Sequence, residues 1–284
     1  LQHPITRPVG YLPGTHIEVI EPHILRGRIR HALFDFDGTL SLIREGWQGV
    51  MIPMMVEILS ETPDAEDEAT LEAVVRDYVT RLTGRQTIYQ MIQLAEEVRK
   101  RGGQPLDPLA YKRLYHERLW QRIEGRVADL EAGRVLPDDM IVPGGRAVLE
   151  GLRRRGVRLY LASGTDEVYV QREAALLDIA RYFEGIYGAL DDYRRFSKRL
   201  VIQRIIAEHG LAGPEFAAFG DGYVEIEDTR AAGGIAVGVA SNEAARRGID
   251  EWKRRRLIEA GAHLIVPDFR EHEALLAFLF EGAA

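Results

Sequence analysis

Four carboxylates raise the question of chemistry. Asp35 and Asp37 stand in the run Asp35-Phe36-Asp37-Gly38-Thr39, and Asp221 and Glu225 in Gly220-Asp221-Gly222-Tyr223-Val224-Glu225. A third polar run, Ser163-Gly164-Thr165, falls between them in the chain. Each follows an apolar stretch, which places it at the carboxyl end of a strand, where open α/β sheets gather their ligands. Brought together, the four acids repel, each close pair by about 4 kcal/mol at an effective dielectric of about 20. Such a cluster needs a cation. The donors are all oxygens, with no sulfur and no clustered histidine, and this favours the hard ion Mg²⁺ over zinc. A metal there would let an anionic phosphate approach the carboxylates. Ser163 could then donate a hydrogen bond to that phosphate. Lys198 could supply a compact positive charge where a transferring phosphoryl group spreads its negative charge.

The elements that must position these residues follow from the hydrophobic pattern. His31-Ala32-Leu33-Phe34 reads as a buried strand delivering Asp35 to a tight loop at Gly38. From about 42 to 134 the spacing is helical, with helices expected near 46–60, 66–82, 86–101 and 108–131, separated by Pro63, Gly84 and Gly102-Gly103. No strand is expected there. After Pro143-Gly144 strands and helices alternate: helix 145–155, strand 158–162, helix 167–178, short strand 185–187, helix 198–209, strand 216–219, strand 234–239, helix around 242–260, strand 263–266 and helix 271–281. Alternation of this kind predicts an α/β fold with a Rossmann-like, doubly wound parallel sheet and an inserted all-helical segment. Residues 1–30, rich in Pro and Gly with a β-prone run at 17–20, read as an N-terminal arm or an added edge strand.

Composition narrows the classes. The 284 residues suffice for a core domain with a sizeable insertion, and 46% hydrophobic with 29% charged residues is ordinary for a globular chain. A net charge of -7 speaks against a nucleic-acid partner. With no cysteine, thiolate metal sites and thiol nucleophiles are excluded. No apolar run approaches the roughly 20 residues needed to span a bilayer, and the first residues show no charged-then-apolar leader, so no membrane partner and a cytoplasmic location are expected. Only Lys100, Lys112, Lys198 and Lys253 are lysine among 37 basic residues. No oligomeric state follows from the sequence.

At these residues the chain resembles the haloacid dehalogenase superfamily, in its phosphatase branch and similar to phosphoglycolate phosphatases. Its four motifs occur in order: Asp35-Phe36-Asp37-Gly38-Thr39-Leu40, the strand ending at Ser163, Lys198, and Gly220-Asp221 with Glu225. The resemblance covers a core of 31–41 and 137–284 and makes 42–136 a helical cap domain. It implies that Asp35 attacks phosphorus to form an aspartyl-phosphate, and that Asp37 protonates the leaving oxygen and later activates water. It implies that Ser163, neighbouring backbone N–H groups at Gly164, and Lys198 hold the phosphate. Mg²⁺ is then bound by Asp35, the backbone carbonyl of Asp37 and Asp221, with Glu225 direct or through water. The expected activity is hydrolysis of a small phosphorylated metabolite: a phosphoglycolate-like acid, a sugar phosphate or a nucleoside monophosphate. Asp37 demotes halide displacement, which has no leaving oxygen to protonate. The late position of Lys100 and Lys112 demotes phosphonate cleavage through a Schiff base.

Substrate choice is then expected in the insertion, with Arg44, Trp47 and Arg85 as candidates; an arginine can hold a carboxylate or second phosphate by paired hydrogen bonds. Arginine carries nearly all the positive charge here, so the ordinary reading of Arg44 and Arg85 is a solvated or salt-bridged surface. Likewise Met51, Met54 and Met55 read as core packing, Lys253-Arg254-Arg255-Arg256 as one solvated helix face, and His16, His23 and His31 as structural. A phosphomutase using the same aspartyl-phosphate, and a non-catalytic metabolite-binding protein, are the alternatives.

Overall fold

The computed structural model describes residues 10–281. Strand β3 (His31–Phe34) lies inside an eight-stranded sheet. On one side it pairs in parallel with β4 (Arg158–Asp166), itself followed by β5 (Phe183–Ala189). On the other it pairs in parallel with β6 (Phe216–Gly220), followed by β7 (Ile235–Val239) and β8 (Leu264–Val266). The N-terminal expectation of an added strand is met: β2 (Glu18–Val19) pairs antiparallel with β8, and β1 (Gly10–Tyr11) antiparallel with β2. Residues 1–9 of the expected arm and 282–284 lie outside the described residues.

Side chains of successive strand residues point to opposite faces, and the two faces are covered by different helices. Ala32 and Phe34 pack with Val148, Leu149 and Leu152 of α5 (Gly145–Arg154), Val170 and Ala174 of α6 (Glu167–Leu176), and Leu275, Leu276 and Leu279 of α10 (His272–Phe280). Leu33 packs instead with Val201, Ile202 and Ile205 of α7 (Lys198–His209). Ala236 packs with Ile226 of α8 (Tyr223–Ala231) and Leu257 of α9 (Glu251–Glu259). Helix α9 is shorter than the expected 242–260. Arg246 (φ 52°) and Gly248 (φ 72°) take left-handed conformations that interrupt helical geometry, and the helix starts only where Asp250 caps the N–H groups of Trp252 and Lys253.

Between β3 and α5 the chain forms four helices and no strand: α1 (Gln48–Ser60), α2 (Glu68–Leu82), α3 (Thr87–Lys100) and α4 (Pro108–Glu131). Asp67 and Asp107 cap α2 and α4, the latter ahead of a proline whose missing N–H costs nothing in the first turn. In α4 the stripe Tyr111, Tyr115, Leu119, Ile123 and Val127 repeats every four residues and is buried, which pins one face of the longest helix. Met51, Met54 and Met55 are core, as their spacing indicates. No helix among the described residues is long and apolar enough to cross a membrane.

Candidate active site

Parallel pairing in register sets the site. Phe34 lies opposite Leu161 of β4 and Phe219 of β6, so the residues that follow all three strands emerge on one edge of the sheet. The Asp35 N–H still donates to Phe219 O at 2.9 Å, and the chain then turns through backbone bonds from Leu40 and Ser41 to Phe36 O. Gly38 is required at that turn. Its φ is 75°, and a Cβ there would collide with Asp221 Oδ2. Thr39, fully buried, accepts a hydrogen bond from the Asp221 N–H at 3.0 Å and ties the first loop to the end of β6.

The expected residues meet around one cavity of about 90 Å³, whose lining includes Asp35, Asp37, Ser163, Gly164, Lys198 and Asp221. Lys198, at the start of α7, places Nζ 2.7 Å from Asp35 Oδ1 and 2.8 Å from Glu225 Oε2. Glu225 is fully buried, and its other oxygen accepts the Gly222 N–H at 2.8 Å. Asp37 Oδ2 accepts from Ser163 Oγ at 3.1 Å and Thr165 Oγ1 at 2.8 Å, while Asp37 Oδ1 is buried without a hydrogen-bond partner. Ser163 Oγ also accepts the Thr165 N–H at 3.0 Å.

Burial is the main force on the ionisable groups. It pushes the Asp35 carboxyl well above the usual carboxylate range; Lys198 opposes this, while Glu225 and Asp221 add to it. Glu225 is raised by burial as well. Burial alone would weaken the Lys198 ammonium, yet Asp35 and Glu225 outweigh it and hold the proton on. Asp35, Asp221 and Glu225 each present an oxygen, all within 4.8 Å of one another. Carboxylates so close, two of them buried, with a buried unpartnered oxygen on neighbouring Asp37, fit a hard divalent cation.

Two expectations about basic residues are overturned. Lys253 is not on a solvated face: it is buried, with Nζ 2.8 Å from Asp221 Oδ2, 2.7 Å from Glu243 Oε1 and 3.2 Å from Ser241 Oγ. Ser241 in turn donates to the Gly38 carbonyl at 2.5 Å. Capping by Asp250 turns the first residues of α9 toward the strand ends, which brings Lys253 under the first loop while Arg255 stays exposed. Lys198 is therefore joined at the site by a second lysine. The available signal was the rarity of lysine in an arginine-rich chain. Arg44 is not a surface residue either. It is buried against Glu173 of α6, with Nη2 2.7 Å and Nε 3.1 Å from Oε1, and Nε 3.9 Å from Asp37 Oδ1. Trp47 and Arg85 also line the cavity, and Arg85 is exposed, as its ordinary reading has it, with Nε donating to Tyr223 OH at 3.0 Å. Lys112 is buried and pairs with Asp166. His31 is structural, stacked on Tyr160 and lowered to about 4 by burial.

The insertion rests directly on the strand ends. Gly84, at φ 94°, packs against Gly222, and Gly164 lies so close to the Arg85 carbonyl that a Cβ would clash. Gln86 Nε2 donates to Tyr193 O at 3.0 Å and Phe196 O at 2.8 Å, fastening the start of α3 to the segment that leads into Lys198.

A doubly wound sheet with an acidic loop after its first central strand, a serine after the second and a buried lysine between two carboxylates defines a class of hydrolytic enzyme. The family model of haloacid dehalogenase-like hydrolases matches residues 29–233, and the chain belongs to that family. No curated protein matches the sequence. Among solved structures, a predicted phosphoglycolate phosphatase from Haemophilus somnus aligns with a TM-score of 0.56 at 16% identity, covering 87% of this chain and 98% of that one. A β-phosphoglucomutase from Clostridium difficile gives 0.59 at 13% identity, covering 89% and 98%. CbbY from Rhodobacter sphaeroides, in complex with phosphate, gives 0.55 at 18% identity, covering 88% and 99%. At these identities the likeness is one of fold.

Proposed function

We propose that the chain is a Mg²⁺-dependent phosphatase of a small phosphorylated metabolite, working through an aspartyl-phosphate at Asp35. The observation that carries this reading is the meeting of Asp35, Asp37, Ser163, Lys198 and Asp221 on one small cavity. Asp35, Asp221 and the Asp37 backbone carbonyl would hold the metal, with Glu225 beside them. When bound, Mg²⁺ would supply the charge that lets a carboxylate and a phosphate share the site.

In the first step an Asp35 oxygen forms a bond to phosphorus as the bond to the leaving oxygen breaks, and protonated Asp37 gives that oxygen its proton. In the second, the Asp37 carboxylate takes a proton from water, the water oxygen bonds to phosphorus, and the bond to Asp35 breaks, releasing phosphate. Lys198 and Ser163 hold the phosphoryl oxygens, and Lys198 keeps the attacking carboxylate oriented. Residues 42–136 act as a cap domain on a core of 31–41 and 137–284. Through Gly84, Arg85 and Gln86 the cap excludes water other than the intended nucleophile.

The test is release of inorganic phosphate from p-nitrophenyl phosphate. Turnover should require Mg²⁺ and fall by roughly 10³-fold or more in Asp35→Asn. Activity unchanged in that variant would refute the mechanism, and transfer of phosphate to a sugar hydroxyl without free phosphate would mark a mutase instead.

A further inference from the structure

The cap side of the cavity carries polar groups that the proposed phosphoryl chemistry does not use. Gln90 of α3 and Tyr115 of α4 are each only 4% exposed, and both line the cavity. Neither side chain has a hydrogen-bond partner among the described residues. Similar residues on the same helices do: Tyr111 OH accepts the Leu106 N–H, and Gln93 donates to Glu97. Two side chains so enclosed, with no protein partner, present an amide and a hydroxyl to whatever fills the cavity. Burial holds the Tyr115 phenol well above its ordinary range, which leaves it a neutral donor.

Arg44, the buried cation on this side, is already engaged, and Arg85 is exposed. Arg44 is bound through two nitrogens to Glu173, and Arg85 is turned to Tyr223 OH and over the Tyr89 ring. Removing Arg44 from Glu173 to grip a substrate carboxylate would strand a buried acid. A leaving group with its own carboxylate thus finds no uncommitted buried cation, and it would lie near Asp37. Trp47 and Met51 add apolar wall, and Thr83 and Thr87 add hydroxyls.

We infer that the leaving group is a small neutral polyol or short sugar, with Gln90 and Tyr115 as specificity-determining residues that hydrogen-bond its hydroxyls. This rests on the phosphatase reading above and narrows it, placing hydroxylated esters ahead of carboxylate esters.

The experiment compares kcat/KM for glycerol phosphate and erythrose 4-phosphate with that for phosphoglycolate and phospholactate, in the wild type, Gln90→Leu and Tyr115→Phe, with p-nitrophenyl phosphate as reference. The wild type should prefer the hydroxylated esters by tenfold or more. Each variant should lose tenfold or more on them and narrow the ratio to the carboxylate esters, because a site that loses a buried hydrogen bond loses discrimination. Tyr115→Phe keeps the ring, and far-ultraviolet circular dichroism checks that both variants fold. If either fails to fold, the wild-type ratio still decides. A wild type that prefers the carboxylate esters, or folded variants with an unchanged ratio, would overturn the inference while p-nitrophenyl phosphate turnover left the phosphatase reading standing. No Mg²⁺-dependent turnover of any ester would overturn both.

Discussion

The two walls of the cavity treat their polar groups differently. On the core wall charges are paired before any ligand arrives: Lys198 with Asp35 and Glu225, Lys253 with Asp221 and Glu243. On the cap wall Gln90 and Tyr115 face the cavity unpaired. The difference follows from magnitudes. Leaving a buried charge uncompensated costs several kcal/mol, whereas a neutral amide or hydroxyl open to the cavity can be hydrated until its partner arrives. On the proposed reading, chemistry belongs to the wall whose charges are paired in advance, and selectivity to the wall whose polar groups await a ligand.

The strongest way to break this contrast is at Lys198. Lys198→Met leaves Asp35 and Glu225 buried without a counter-charge, and we expect about 3–5 kcal/mol less stability in urea unfolding together with near-complete loss of turnover. A variant as stable as the wild type would mean that the core wall is not organised around this pair. Lys253 gives a graded version. It does not line the cavity but holds one Asp221 oxygen, so Lys253→Met should weaken Mg²⁺ affinity about tenfold, read by calorimetry without substrate, with Lys253→Arg recovering part of it. Unchanged affinity would remove Lys253 from the site.

The smallest effect concerns the seam between the walls. His116 of α4 packs edge-on against the Tyr169 ring of α6, with Asp166 Oδ2 3.8 Å from Nδ1. Burial, helped by Arg44 and Lys112, lowers its imidazole to about 3. Because the folded pKa lies below the unfolded 6.5, the unfolded chain binds the extra proton as pH falls. Stability from this group is complete above about pH 6.5 and is lost progressively down to about 3, at about 1.4 kcal/mol per pH unit. His116→Phe should flatten the fall in melting temperature between pH 6.5 and 5 relative to the wild type; identical slopes would show that the seam does not exclude the proton.

Much of the core wall is legible in the chain. Asp35 and Asp221 each follow an apolar strand and Ser163 follows the apolar run of β4, and parallel pairing in register brings these positions together. Arg44 and Glu173 were not legible as a pair, because 129 residues separate them and only the docking of the insertion on α6 joins them. Gln90 and Tyr115 sit among buried helix positions, and periodicity cannot distinguish a residue that faces core from one that faces a cavity within it. Lys253 was hidden by its neighbours: four consecutive basic residues look like a solvated face until the cap at Asp250 sets which one turns inward.

The sequence by itself determined the family, the strand and helix alternation and the acidic motifs, because each depends on residue type at short range or on a strand's ending. Tertiary structure alone decided which lysines compensate which carboxylates, that Arg44 is committed to Glu173, and that two neutral side chains are left facing the cavity. These are outcomes of packing between distant segments, where burial raises the cost of every unpaired charge and so selects the partners.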